Sequence, residues 1–393
     1  MPLSPTEHDG HAIRVLLQGR SARSLATAHG GDQVQIEKTT EALVNAYGLE
    51  ARTSAELEPD LRQYDLVHLF GLVRPQEVWV HARNALRQAT PIVLSTVYCD
   101  VWDFDRNGRT GSLGWVARHT TRDGVEAAKA VGRGVVSREW SKGSARLVTH
   151  GFRRMQRDVL AATSVFLPNS HSEWQRICTD FGGPLDPERV VIVPNGVDID
   201  ELAAAEGLTH VPPHLAQYKD CVLCVARIEG RKNQLSLIRA LRDTPYTLVL
   251  AGRRTANQRS YVRAVEAAAR SAPAGRVHLL GEVSAKDKLW LLRLARVHAL
   301  PSWMETTGLA SLEAGFLNCS LVVSPNGDTT EYFGGFAEFC NPADAESIRD
   351  ATVRAWERPP SRELKRRIGE RFTWTEAAQA TLVGYRRALE MAR

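Results

Sequence analysis

The stretch CVLCVARIEGRKNQLSLIRAL, residues 221–241, reads as a strand, a turn and a helix in quick succession. Residues 221–226 form a continuous apolar run of strand length, and QLSLIRAL repeats apolar residues at helical spacing. A continuous run, rather than an alternating one, belongs to a strand covered on both faces, as in parallel sheets with crossover helices. The turn between them carries Arg227 and, five residues on, Lys232, which with Asn233 is expected to open the helix. Two cations at such a turn, beside the amide donors of a helix N-terminus, suit a diphosphate.

Outward from this stretch the same pattern repeats. HAIRVLLQG (11–19), YDLVHLF (64–70), PIVLSTV (91–97), SVFLP (164–168) and RVVIVP (189–194) read as strands before it. YTLVLAG (246–252), RVHLLG (276–281), VHALP (297–301) and SLVVSP (320–325) read as strands after it. Helical stretches, such as 36–48 and 76–89, lie between them. This alternation implies an α/β fold with parallel sheets. The pattern restarts after residue 200, and 199–219 has a Pro-Pro pair and no strand signal, so the boundary is placed there. The expected architecture is two doubly wound, Rossmann-like domains, 1–200 and 201–373, facing a cleft, with ligands beyond the carboxyl ends of the strands. Residues 374–393 form an amphipathic helix, with Thr373 or Thr375 as its N-cap, expected to pack back on the first domain.

Composition narrows the class. The chain has 393 residues, 43% hydrophobic and 24% charged, with a net charge of +5, values ordinary for a soluble globular protein. No run approaches the ~18 apolar residues of a membrane span. The first residues lack a secretory pattern and the six cysteines are scattered, so a cytoplasmic location is expected. Residues 1–200 carry 23 basic and 24 acidic groups, yet 106–157 alone holds 12 basic and 3 acidic ones. This basic insert is either a solvated surface or a site for an anionic partner. No nucleic-acid module accompanies it, so nucleic acid is not expected as a partner. DFDRNG (103–108) matches the start of a calcium loop, but Gly114 stands where its final Glu belongs, and a polar turn is the better reading. No metal site is expected. Cys221 and Cys224 lie three apart in a strand, on opposite faces, unlike a redox pair.

The segment PSWMETTGLASLEAG (301–315) completes the constellation. Glu305 sits at the rim of a strand and Glu313 about two turns further on. Thr306, Thr307 and Gly308 offer amides at a helix start, suited to phosphate, while carboxylates beside an anion site suit sugar hydroxyls. An Arg, a Lys five residues on, then Glu, seven residues and Glu, together resemble the nucleotide-sugar site of family-four retaining glycosyltransferases, the group 1 type with the GT-B fold. VIVPNGVDID (191–200), LLGEVSAKDKLWLL (279–292) and NGDTTEYFGG (326–335) match that family in order.

The resemblance implies a metal-independent hexosyltransferase that uses a nucleotide-diphosphate sugar, such as a UDP- or GDP-sugar, and no further cofactor. Arg227 and Lys232 would neutralise the diphosphate and Glu305 would bind sugar hydroxyls. Gly308 and Leu309 would present amides, and Glu313 would hold the ribose. Thr307 stands where the family has Phe. In HGGDQVQIEKTTEAL (29–43), Gly30 and Gly31 resemble the family's loop before the first helix, where a missing Cβ admits a phosphate. Where the family has a His after the fourth strand, this chain reads STVYCDVWD, leaving Tyr98 or Asp100. Phe70 replaces a second His, and His68 reads as a packed strand residue. The acceptor side is expected in the basic insert, with Trp115, Trp140, Phe152, Arg153 and Arg154 facing an anionic or lipid-linked acceptor at the inner membrane surface, in polysaccharide or glycolipid biosynthesis. Epimerisation, phosphorolysis, a small-molecule acceptor and a non-catalytic sugar-nucleotide binder are the alternatives.

Overall fold

A computed structural model describes residues 6–8, 10–19, 30–109, 111–137, 142–182 and 186–393; the side chains of 112, 113, 130–142 and 148 are outside the description. Trp140, singled out above, therefore lies outside the described residues. The chain divides into two compact units. The first comprises Met1–Cys99, Gly111–Asn195 and Trp374–Arg393; the second comprises Asp100–Thr110 and Gly196–Thr373.

In the first unit a short antiparallel pair, Glu7–His8 with His11–Ala12, precedes the main strands β1 (Arg14–Gln18), β2 (Glu50–Ser54), β3 (Leu66–Phe70), β4 (Ile92–Ser95) and β5 (Val165–Phe166). They form one parallel sheet in the order β2-β1-β3-β4-β5. Helices α1 (Gly31–Tyr47) and α2 (Pro75–Arg87) are its crossovers. Helices α3 (Gly111–His119), α4 (Arg122–Ser137), α5 (Lys142–His150) and α6 (Phe152–Ala162) form the insert before β5, and α7 (His171–Phe181) follows it. β2 reads EARTS and is an edge strand with exposed side chains, which is why no apolar run marks it. RVVIVP is expected as a full strand; only Val190 forms a bridge, with Phe166, while the amides of Val191 and Val193 donate to the carbonyls of Phe166 and Pro168 without a regular ladder.

The second unit contains α8 (Ile199–Glu206), β6 (Val222–Val225), α9 (Gln234–Leu241), β7 (Leu248–Ala251), α10 (Arg259–Ser271), β8 (Val277–Gly281) and α11 (Ala285–Leu294). It continues with β9 (Val297–Leu300), α12 (Leu309–Phe316), β10 (Ser320–Val323), α13 (Thr329–Phe333), β11 (Ala337–Phe339), α14 (Ala345–Glu357) and α15 (Arg362–Arg371). The sheet is parallel in the order β8-β7-β6-β9-β10-β11. Alternate residues feed two cores: Val222, Cys224, Leu248 and Leu250 on one face, Leu223, Val249 and Ala251 on the other. Each fully buried apolar side chain of this kind contributes roughly 1.5–3 kcal/mol. Cys221 and Cys224 fall in opposite cores and burial pushes both thiols up to about 12, so neither acts as a redox thiol.

The second unit begins at Gly196, just before the expected boundary stretch 199–219, whose Leu202, Ala205, Leu215 and Tyr218 are buried in that unit's core; Asp198 caps α8 through the amide of Glu201. The start of the basic insert, to residue 110, packs with the second unit rather than the first. The final helix, α16 (Trp374–Met391), belongs to the first unit. A Cβ on Gly384 would come within 2.5 Å of Leu167 Cδ2, so glycine permits the close seating of α16 there. Tyr385 Oη then meets His68 Nδ1 at 2.8 Å, and Ser95 Oγ lies 2.9 Å from His68 Nε2. His68 is a packed strand residue, as expected, and burial lowers its pKa to about 3.

Candidate functional site

In the second unit the strand order reverses at β6 and β9, the only sheet neighbours there that lead to opposite sides of the sheet. In doubly wound sheets ligands bind at that switch point, beyond the carboxyl ends of the strands. The segment after β6 carries Arg227 and Lys232, and the segment after β9 carries Glu305. Lys232 closes a short 3-10 turn, Gly230–Lys232, instead of opening the helix. Asn233 follows in the left-handed region at φ 62°, donates its side-chain amide to the carbonyls of Pro301 and Pro342, and α9 begins at Gln234. The sharp reversal turns Lys232 inward.

Lys232 Nζ lies 2.5 Å from Glu305 Oε1, and Glu305 is 6% exposed. Arg227 and Arg231 each approach Glu229, a buried carboxylate, at 3.3 Å. Arg231 Nη1 also donates to the carbonyl of Met304 at 3.1 Å. Burial acts to raise the pKa of Glu305, but the charges of Lys232 and Arg231 outweigh it and hold the carboxyl below its ordinary value. Glu229 is likewise lowered, with Arg231 and Arg227 overcoming its burial. Three cations thus face two carboxylates, and the cluster holds one positive charge in excess.

The backbone around Glu305 is fixed from behind. Its amide donates to the carbonyl of Asn326, and its own carbonyl accepts from the amide of Asp328. Gly327 lies between them at φ 97°, and a Cβ there would sit 1.9 Å from the Glu305 carbonyl oxygen. Gly308, at φ 80°, is the N-cap of α12; Thr307 is buried and Leu309 opens the helix. Glu313 lies in that helix, 2.8 Å from Lys288 of α11. The structure places Lys232 against Glu305 and Arg227 against Glu229, with Gly308 beside Glu305 at the start of α12, while Glu313, further along that helix, meets Lys288 instead. Sequence reasoning passed over Glu229, Arg231 and Lys288. The alternating charges of RIEGRK mark the first two; Lys288 has no local signal.

The first unit's candidates are placed less uniformly. Gly30 caps α1 in an extended conformation and Gly31 is its exposed first residue, after β1 at that sheet's own reversal between β1 and β3. Tyr98 is 1% exposed, its hydroxyl donates to Asp180 at 2.5 Å, and its ring packs edge-on against Phe181. It is a core residue, which corrects its candidacy for ligand contact. Asp100 is half-buried in the second unit and accepts from the amide of Trp102. Arg153 binds the carbonyl and carboxylate of Asp180 and lies over Phe181, so much of its donor capacity is used within the unit. Arg154 is exposed, Phe152 is buried, and Trp115 is 60% exposed and stacked on His119. Among the described residues no group of three or more His, Cys, Asp or Glu side chains is placed to hold a metal.

Two doubly wound parallel sheets, one with a cationic cluster at its switch point, define a two-domain α/β protein of the GT-B fold class. Residues 211–372, which lie within the second unit, match the family model of glycosyl transferases group 1. The chain is 27% identical to the D-inositol 3-phosphate glycosyltransferase of Kineococcus radiotolerans, over 60% of this chain and 60% of that protein. It is 26% identical to the MMP alpha-(1->4)-mannosyltransferase of Mycolicibacterium hassiacum, over 61% of this chain and 58% of the relative. It thus spans about three fifths of the length of each of these curated relatives. Among solved structures, Anabaena HepE in complex with UDP and glucose aligns with a TM-score of 0.62 at 15% identity, over 94% of this chain and 98% of that one. Sucrose-phosphate synthase of Thermosynechococcus elongatus aligns at 0.66 with 15% identity, over 96% and 100%. These likenesses extend the shared fold across nearly the whole chain.

Proposed function

We propose that this protein is a retaining glycosyltransferase that moves a sugar from a nucleoside-diphosphate sugar to an acceptor hydroxyl. The observation that supports this most is the Arg227–Arg231–Lys232 cluster held against Glu229 and Glu305 at the switch point. An arriving diphosphate competes with both carboxylates for these cations. Glu305, once released from Lys232, accepts hydrogen bonds from sugar hydroxyls. Glu313 takes the ribose hydroxyls, and the amides of Gly308 and Leu309 add to the anion site. The UDP and UDP-glucose complexes of HepE agree with a nucleotide-sugar donor.

In the reaction the bond from the anomeric carbon to the diphosphate breaks and a bond to the acceptor oxygen forms on the same face. The leaving phosphate oxygen takes the acceptor proton, so no protein nucleophile is needed. Arg227 and Lys232, once they have exchanged their carboxylate partners for the diphosphate, stabilise the charge that develops on the leaving group. The acceptor is an anionic molecule, with a lipid-linked sugar phosphate at the cytoplasmic membrane surface as the favoured class, since α3 to α6 carry the basic insert and an exposed Trp115.

A thermal-shift screen of UDP- and GDP-sugars tests the donor, because a bound ligand stabilises the folded chain. Release of free nucleoside diphosphate only when acceptor is present supports transfer. Release without acceptor, or conversion of the donor to its epimer, overturns it.

A further inference from the structure

Residues Asp100–Thr110 are flanked on both sides in sequence by the first unit, yet they pack within the second. Their core is a single π-helical turn, Phe104–Gly108. Inside it the buried Asp105 pairs with Arg109 at 2.7 Å, and the Arg109 guanidinium lies 4.9 Å from the Phe104 ring centroid. The ring of Phe104 is 5% exposed and lies 6.3 Å from that of Trp303. A Cβ on Gly108 would come within 2.5 Å of Trp303 Cε2, so this position accepts only glycine while Trp303 stays in place. A Cβ on Gly230 would lie 3.1 Å from Phe104 Cζ, so the same ring also backs the start of the Gly230–Lys232 turn.

Trp303 joins the two halves of the cationic cluster. Its amide donates to the Arg231 carbonyl at 2.8 Å, its carbonyl accepts from Asn326 Nδ2 at 3.1 Å, and the next two residues are Met304, which binds Arg231, and Glu305. We infer that the Phe104–Gly108 turn is a positioning strap: it clamps Trp303, and through Trp303 it sets the spacing between the Arg227–Lys232 turn and Glu305. Phe104 and Gly108 are positioning residues. This inference rests on the donor-site reading above for its consequence, but the clamp itself is a property of the unliganded chain.

The test uses the full chain with Phe104→Ala, Gly108→Ala and the conservative Phe104→Leu. Hydrogen exchange of residues 301–308 and calorimetric affinity for UDP and GDP are measured together. An aromatic contact of this kind supports an expected change of about tenfold in each for Phe104→Ala, with Gly108→Ala similar and Phe104→Leu largely restored. The rest of the second unit exchanges as in the parent. Unchanged exchange at 301–308 overturns the strap, whatever the affinity does. Faster exchange spread across the whole unit also overturns it, since that marks a general scaffold. Faster local exchange with unchanged affinity, in a parent that binds the nucleotide, overturns the link to the cluster. A parent that binds neither nucleotide, with local exchange still faster in both alanine variants, supports the clamp and sinks the donor-site reading alone.

Discussion

Each unit buries a carboxylate near the carboxyl ends of its strands, and the two are neutralised differently. Glu173 in the first unit accepts from Thr96 Oγ1 and from the amides of Tyr98 and Asn169, while its own amide is capped by Ser170 Oγ. Glu305 in the second unit is held by Lys232 and the field of Arg231. Backbone donors cannot leave without unfolding the segment that carries them. A lysine side chain can swing to another anion. The first arrangement is a permanent brace; the second is an exchangeable contact, as the diphosphate site proposed above requires.

The comparison breaks most visibly at Lys232. Lys232→Ala strands a buried carboxylate and is expected to cost about 3–5 kcal/mol of stability, with loss of transfer. The double variant Lys232→Ala/Glu305→Gln should recover most of that stability in chemical denaturation and none of the turnover. Recovered turnover would show that Lys232 serves the fold alone. Glu173→Gln places an amide against donors and is expected to cost about 1–3 kcal/mol, with affinity for the nucleotide unchanged by calorimetry.

Acid separates the buried groups further. His68 and His298 have folded pKa values lowered by burial to about 3 and about 4, from an ordinary 6.5. The unfolded chain therefore takes up these protons first, and stability falls as pH drops below 6.5. From pH 6.5 to 5.5 the expected loss is about 1 kcal/mol per histidine, read from denaturation midpoints. Glu305 and Glu229 are also lowered, so their contribution is fully present above about 4.5 and is lost only below that, as pH falls through their folded values. The smallest effect is expected at Lys288→Ala. It removes a partly exposed partner of Glu313 and should shift stability by less than about 1 kcal/mol, with a modest rise in the donor KM.

Much of this was legible in residue order. Continuous apolar runs located β6, β7, β9 and β10 because those strands are covered on both faces, and the apolar VHLLG located β8 although it is a half-buried edge strand. EARTS gave no such signal, because an edge strand shows its side chains to water. RVVIVP departs for the opposite reason: its valines are apolar enough for a strand, and Val191 and Val193 donate to the carbonyls of Phe166 and Pro168, but only Val190 forms a bridge. Arg227, Lys232, Glu305 and Glu313 stood out by spacing and by family resemblance. Lys288 did not, since it meets Glu313 across 25 residues of chain. Tyr98 looked like a substitute for a missing ligand-facing His, and only packing against Phe181 and Asp180 reveals it as core.

The seating of α16 has a consequence for synthesis. This helix packs along β3, β4 and β5, and it joins Tyr385 to His68 across 317 positions. On the ribosome, every residue of the second unit emerges before that helix does. The second unit is therefore free to fold while the first still lacks the cover for one side of its sheet, so the part of the protein made first is the part completed last. A nascent first unit in that interval exposes apolar strand surface, the kind of intermediate on which chaperones act.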